Sequence, residues 1–471
     1  MPTGALLDGH ESLRPYECDA LMLHRQLPLA VLLPQDALQV AAVLKLCSRY
    51  GVPVVPRGSG TGLSGGALPH ADGVLMSLAR LDRILHIDAQ ACTATVQPGV
   101  RNLAISEAAA PLGLYYAPDP SSQIACSIGG NVAENSGGVH CLKYGLTLHN
   151  VLCVRGLTMA GEPVEFGGES FDAPGLDLMP LVIGSEGMLL VVTEVVVRLV
   201  PKPQLARCIM ASFATVQDAG NAVASLIAAG IIPAGLEMLD QSATQLVEPM
   251  VHAGYDTDAA AVLLCEADGT PAEVAADIER MTLVLRAAHA TRLQVSVDEA
   301  ERLRFWAGRK NAFPAAGRAA RAYYCMDGTI PRARLAEMLT AIDGMKKRYG
   351  LRCPNVFHAG DGNLHPLILF DDGDPEQVQR AEAFGAEILE MCLALGGTIT
   401  GEHGVGVEKL DQMCSQFAVA ERAVFEGIKH AFDPARLLNP GKVIPTLHRC
   451  AEYGRMRVSG GLVPFPELPR Y

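Results

Sequence analysis

The eleven residues Pro56 to Gly66, PRGSGTGLSGG, constrain the fold of this chain more than any other stretch. Glycine alternates there with Ser59, Thr61 and Ser64, so successive backbone N–H groups can close around an anion, and a pyrophosphate is the natural occupant. The spacing Gly60-x-Gly62-x-x-Gly65 is also that of a dinucleotide fingerprint. Such a fingerprint must open a helix and carry an acidic residue about 20 positions later. Asp82 has roughly that spacing, but the intervening GALPHADGVLMSL holds Pro69 and a turn-like Ala71-Asp72-Gly73 before a strand-like run. The helix is missing, so the pattern predicts a phosphate cradle of another kind.

The flanking residues place this loop. LAVLLP reads as a buried strand, DALQVAAVLKLCSRYG as a helix stopped by Gly51, and VPVVP as a second strand. Two more glycine-rich segments follow, PDPSSQIACSIGGNVAENSGGVHCLKYG at 118–145 and PLVIGSEGML at 180–189. Three such segments within a short span predict one large ligand approached closely by backbone. From 204 the pattern changes to strand-then-helix units, MASFATVQDAGNAVASLIAAG and AVLLCEADG with PAEVAADIERMTLVLRAAHA, which predict a sheet with helices on one side. Beyond 375 helical periodicity dominates. The expected organisation is α+β, with units at 1–203, 204–375 and 376–471.

Composition excludes several functions. A formal charge of −13 argues against nucleic acid, whose phosphates need a basic surface. Apolar runs near 179–200 are broken by Gly184, Ser185, Glu186 and Glu194, leaving no span for a bilayer. The first residues lack a basic segment followed by an apolar one, which predicts a cytoplasmic protein. Thirteen cysteines without a Cys-x-x-Cys predict reduced thiols and no iron–sulfur cluster within the chain.

The sharpest chemistry lies in VFHAGDGNLHP at 356–366. Asp361-Gly362 predicts a two-residue hairpin turn that sets His358 directly opposite His365, close enough for both imidazoles to reach one metal. Glu402 and His403 in GTITGEHGVG add a third ligand and a general base. Against this stands a polar hairpin and a helix-entry turn, where Glu402 would be favourable without any metal. Arg309, three residues after the lone Trp306, is a candidate for a substrate carboxylate, in competition with Arg302, Arg304 and Lys310.

Taken together, LRPYECD, PDPSSQIACSIGGNVAEN, RFWAGRKNAFPA, YYCMDGTIPR, VFHAGDGNLHPLILFD, GEHGVG and NPGKVIPTLHRCAE resemble flavin-dependent 2-hydroxy-acid oxidases and dehydrogenases, most specifically the FAD-linked subunits of bacterial glycolate oxidases. The resemblance runs from about Tyr16 to the carboxyl terminus. It implies the vanillyl-alcohol oxidase (PCMH-type) FAD-binding fold, a ferredoxin-like cap domain and a helical carboxyl-terminal part. It implies that Arg57, Gly58, Ser59, Gly60, Thr61 and Gly62 hold the FAD pyrophosphate. Pro118, Asp119, Ser121, Gly129, Gly130, Asn131, Asn135, Gly137, Gly138, Ile183, Glu186 and Asn439 would line the flavin. FAD is expected to be non-covalent, because the loop has Ser59, Thr61 and Ser64 where some relatives carry a linking histidine; His140 and Cys141 are less easily excluded as attachment points. His358, His365 and Glu402 match the metal ligands, for zinc, manganese or iron; His403 matches the base, and Arg309 and Asn363 match substrate-binding positions. Phe313 and Tyr323-Tyr324-Cys325, where diacid users carry polar groups, imply a small monocarboxylate. The implied reaction is glycolate to glyoxylate or D-lactate to pyruvate, with a second FAD-type subunit and an iron–sulfur subunit as partners at the inner membrane. The chain begins nearer Tyr16 than the family does, so residues are expected to precede Met1. A stand-alone D-lactate dehydrogenase is the nearest alternative. A flavin-free metal hydrolase is the remote one.

Overall fold

The computed structural model describes residue 2 and residues 4–169 and 175–445; the TLHRCAE end of the last resembling segment lies outside them. The amino-terminal part follows the expected order. Strand Ala30–Leu32 leads into helix Ala37–Tyr50, whose first turn is capped by the Asp36 carboxylate on Gln39 N–H and whose end is Gly51 at φ 67°. Strand Val54–Arg57 follows, and no helix intervenes before strand Val74–Ser77, so the loop joins two parallel neighbours as a coil. An antiparallel five-stranded sheet, Ile84–Asp88, Thr93–Val96, Val151–Leu157, Pro163–Gly167 and Val191–Arg198, packs beside this small sheet with its own core around Val96, Ile105, Val154 and Val195.

The second unit is a seven-stranded antiparallel sheet built from Leu205–Phe213, Gly235–Asp240, Ala261–Gly269, Arg292–Val295, Ala322–Cys325, Asn355–His358 and Asn363–Phe370. Helices cover both faces rather than the one expected. Val216–Ala228, Pro271–Ala287, Leu335–Tyr349 and Pro375–Ala394 close one core, while Gln241–Val251, Glu299–Lys310 and Ala312–Ala319 close the other. The reason is readable in the strands. Gly235–Asp240 and Asn363–Phe370 are buried at every position, which only a sheet covered on both faces can satisfy.

The carboxyl-terminal segment is shared between the two units. Helix Pro375–Ala394 donates Phe384, Ile388 and Cys392 to the cap core. Further on, Val54 N–H donates to Leu437 and Asn439 N–H to Val54, extending the amino-terminal sheet. Buried Lys429 fixes that return by donating to Met188 O, Leu438 O and the Asp433 carboxylate. The boundary expected at 375/376 therefore falls inside a common core.

Candidate active site

A cleft of about 560 Å³ runs between the two units, within the size range of small-molecule sites. One end is the glycine loop, with Arg57, Gly58, Ser59, Gly60, Thr61 and Gly62 in its wall; Ser121, Gly129, Gly130, Asn131 and Glu186 line the middle. These close approaches need glycine. A Cβ on Gly129 would lie 2.6 Å from Pro98 Cβ, and Gly60 has φ 72°. Arg57 is held in place by a 2.7 Å bond to Cys18 O.

The other expected flavin residues form a layer behind that wall. Pro118 O accepts from Asn102, Asn135 caps a helix at φ 53° and accepts from Leu148 N–H, and Ile183 is in the core. Gly138 packs on Asp119, whose carboxylate holds His140 Nδ1 at 2.7 Å. His140 Nε2 in turn faces Glu266 at 3.1 Å. Neither His140 nor Cys141 is in the cleft wall, while Asn439 Nδ2 donates to Gly66 O and Glu186 O, clipping two wall segments together.

At the far end stand His365, Glu402 and His403, with Lys310, Phe313, Pro314 and Tyr323 opposite. The hairpin that carries the histidines is not the two-residue turn expected. Gly362 N–H donates to His358 O across a four-residue loop, and the Asp361 carboxylate accepts from Asn363 N–H. The register is therefore His358 with Asn363 and Val356 with His365, a shift of two residues. A shift of two preserves the face. His358 and His365 remain diagonal neighbours, with ring centroids 5.0 Å apart.

Glu402 Oε1 lies 3.2 Å from His358 Nε2 and 3.3 Å from His365 Nε2, while its Oε2 accepts from Gly137 N–H at 2.9 Å. Burial works against the charge on Glu402, yet bonds to the two histidines hold its carboxyl well below the ordinary range. His365 Nδ1 and His403 Nδ1 are buried without a hydrogen-bond partner. Polar atoms orphaned in this way call for a ligand. One atom each from His358, His365 and Glu402 falls within 4.8 Å of the others. Around them the buried carboxylates of Glu237 and Asp327 and the half-buried carboxylate of Glu402 face two permanent cations, Arg309 and Lys409. The donor set and the excess negative charge both fit a divalent cation.

Asp327 was missed by sequence reasoning and organises the GEHG turn. Its carboxylate accepts from Gly401, Glu402 and His403 N–H, from Thr400 Oγ1, from Asn363 Nδ2 and from Lys409 Nζ. Burial opposes its ionisation, but His403 and Lys409 hold it well below the usual carboxylate range. The signal was a lone charge, MDG, directly after an apolar strand. His403 itself is pushed down to about 4 by burial, so it is neutral at pH 7. Two expected substrate residues stand elsewhere. Asn363 spends its amide on Asp327, and Arg309, 2% exposed, turns its Nε to Glu237 at 2.5 Å; neither is in the cleft wall.

Comparison with known proteins adds identity to this geometry. Residues 28–167 match the model of a FAD binding domain and residues 202–443 that of the C-terminal domain of FAD linked oxidases. The chain is 58% identical over 471 residues to "Glycolate oxidase subunit GlcD" of Escherichia coli (strain K12), covering 100% of this chain and 94% of that one. It is 31% identical over 414 residues to "D-lactate dehydrogenase" of Anaerostipes hadrus, covering 86% of this chain and 87% of the relative. Among solved structures, p-cresol methylhydroxylase with substrate bound shares the fold, at a TM-score of 0.80, 18% identity and 94% coverage of each chain. A FAD binding domain over the glycine loop removes the flavin-free hydrolase from consideration.

Proposed function

Because the chain belongs to the FAD-linked oxidase family, we propose that it oxidises a small 2-hydroxy acid as the flavin subunit of a glycolate oxidase, converting glycolate to glyoxylate foremost and D-lactate to pyruvate second. The observation that carries this reading is a single cleft in which the glycine trough runs directly into His365, Glu402 and His403. FAD is held without a covalent bond, its pyrophosphate on the loop from Arg57 to Gly62. When bound, FAD supplies the two-electron acceptor for the C2 hydrogen, and a zinc, manganese or iron ion on His358, His365 and Glu402 supplies a Lewis acid that acidifies the hydroxyl.

The chain's own groups do the rest. His403, neutral and with Nδ1 unpaired, takes the hydroxyl proton. Lys310 is the cation in the wall near these histidines and meets the substrate carboxylate. Phe313 and Tyr323, ring centroids 5.7 Å apart, close the space beyond it and select a short acid.

Electrons then leave through partners, a second FAD-type subunit and an iron–sulfur subunit, with the assembly cytoplasmic and peripheral to the inner membrane. The name of the Escherichia coli relative as a subunit supports the existence of partner subunits. Among the described residues no helix is long and apolar enough to cross a membrane. A stand-alone D-lactate dehydrogenase is the second reading, favoured by the Anaerostipes relative. Steady-state turnover with a dye acceptor separates them: kcat/KM for glycolate above that for D-lactate supports the first, and the reverse order overturns it.

A further inference from the structure

We propose that Glu134 donates a hydrogen bond from its carboxyl group to the redox ring of bound FAD, with Glu186 as the positioning residue that keeps the proton there. The proposal rests on FAD occupying this cleft. It starts from backbone pairing. Gly184 N–H donates to Val132 O and Glu186 N–H to Ala133 O, so the turn after helix Met179–Val182 lies along helix Ile128–Glu134 and delivers Glu186 beside the last residue of that helix. Glu186 is held at φ 51°, a conformation that is uncommon for a glutamate and persists where surrounding bonds enforce it. Both side chains stand in the cleft wall.

They meet at the turn that carries His403. A Cβ on Gly404 would strike Glu134 Oε2 and lie 2.7 Å from Glu186 Oε1; one on Gly66 would lie 2.9 Å from Glu134 Oε1 and 3.8 Å from Glu186 Oε2. The two carboxyl groups differ in their partners. Glu186 accepts from Val405 N–H and Gly406 N–H at 2.6 Å each, whereas Glu134 Oε2 is buried with no partner. Two acids crowded together in this way do not both ionise. The one with two backbone donors keeps the charge, and the orphan keeps the proton. Burial and the facing Glu186 push Glu134 well above the usual carboxylate range, and the carbonyl end of its own helix acts in the same sense. Asp19 and Asp327 add to the effect from other elements. Lys409 opposes it, but its ammonium is already engaged by Asp327 at 3.1 Å and Gly404 O at 2.9 Å. Burial raises Glu186 too, against its two N–H bonds and the charges of Lys409 and Lys442.

A neutral acid in a flavin cleft can donate where a carboxylate cannot. With the pyrophosphate on the loop from Arg57 to Gly62 and His403 at the far end, the part of FAD that reaches Glu134 is the ring. Its polar edge gains negative charge on reduction, so a donor there stabilises the reduced form more than the oxidised one.

The test measures the two-electron midpoint potential of the bound flavin against a reference dye, with FAD affinity followed in parallel by fluorescence. Glu134→Leu removes the donor and should lower the equilibrium constant for reduction roughly 10- to 100-fold, a fall of about 30–60 mV. Glu134→Gln, whose amide still donates, should recover most of that loss. An ionised Glu134 predicts the opposite sign: both variants would then remove a negative charge beside the ring and raise the potential, which overturns the proposal. An unchanged potential in a Glu134→Leu protein that binds FAD normally overturns it as well, as the mark of an acid that only packs. Infrared difference spectra of wild type and the near-isosteric Glu134→Gln give a second reading that needs no stable leucine variant. A neutral-carboxyl band that shifts on flavin reduction and is absent from Glu134→Gln is expected; its absence from wild type refutes the protonated acid. Wild-type protein that takes up no FAD overturns the flavin assignment and this proposal together, before any variant is made.

Discussion

Replacing Asp327 by Asn tests how the catalytic turn is held. The carboxylate is fully buried and takes six donors, three of them backbone N–H groups of Gly401, Glu402 and His403. An amide keeps one acceptor oxygen and turns the other position into a donor. If the amide nitrogen takes the Oδ1 place, it confronts Asn363 Nδ2 and Glu402 N–H, at 2.9 and 3.1 Å from the present oxygen. In either orientation Lys409, 0% exposed, loses the counter-charge now 3.1 Å away. Removing the partner of a buried charge costs about 3–5 kcal/mol, toward the lower end here because Glu408 Oε2 remains 3.7 Å from Lys409 Nζ. For a cooperative unit of this size that corresponds to a Tm lower by roughly 6–20 °C. Thermal unfolding followed by far-UV circular dichroism measures it. Adding Lys409→Met should restore more than half of the loss, because the orphaned cation is gone, without restoring turnover, because the turn remains unheld. A Tm within about 2 °C of wild type for Asp327→Asn alone, a shift worth under about 1 kcal/mol, refutes the anchor.

Three further outcomes follow from the geometry. Lys310→Met should raise KM for glycolate by roughly 5- to 30-fold with little change in kcat, an effect that shrinks with added salt, since an exposed cation near a carboxylate is worth about 1–2 kcal/mol; steady-state kinetics of Lys310→Met and Lys310→Arg at two ionic strengths check it. Asn439→Ala removes two buried hydrogen bonds that join wall segments at Gly66 and Glu186, about 1 kcal/mol each, so FAD binding should weaken about 30-fold by fluorescence titration. Burial raises Glu408 from 4.5 to about 7. The native state therefore holds a proton that the unfolded chain has lost, and this group's stabilisation, complete below pH 4.5, fades as pH rises toward 7. Glu408→Gln should then be more stable than wild type above pH 7 and lose the advantage by pH 5, as urea unfolding across that range will show.

How much of this was legible in the chain differs from element to element. The loop Pro56 to Gly66 could be assigned without structure, because glycine content reports backbone approach and Pro69 forbids the helix that a nicotinamide site requires. That His358 and His365 share one face of the hairpin was also legible, since parity along a strand survives a register error of two. The register itself was not. Asp361-Gly362 can sit in a two-residue turn or in the second half of a longer loop, and the choice is made by tertiary bonds such as Ile330 N–H to Gly362 O, which no local pattern contains. Glu237 was invisible for a related reason: in GLEMLD it is one acid in a short run, and only the neighbouring strand reveals that it faces His358. Arg309 was placed near the substrate carboxylate by its position three residues after Trp306 and by the family resemblance. Which way a guanidinium points depends on a carboxylate 72 positions away. The double-sided cap was legible but overlooked, in strands that are apolar at nearly every position.

The most direct test of the central claim is the visible spectrum of the purified FAD-loaded protein before and after glycolate is added without oxygen. The account predicts flavin bands that bleach to the two-electron reduced form, with one glyoxylate formed per flavin and glycolate acting faster than D-lactate. A protein that binds FAD yet keeps its oxidised spectrum with both acids contradicts it.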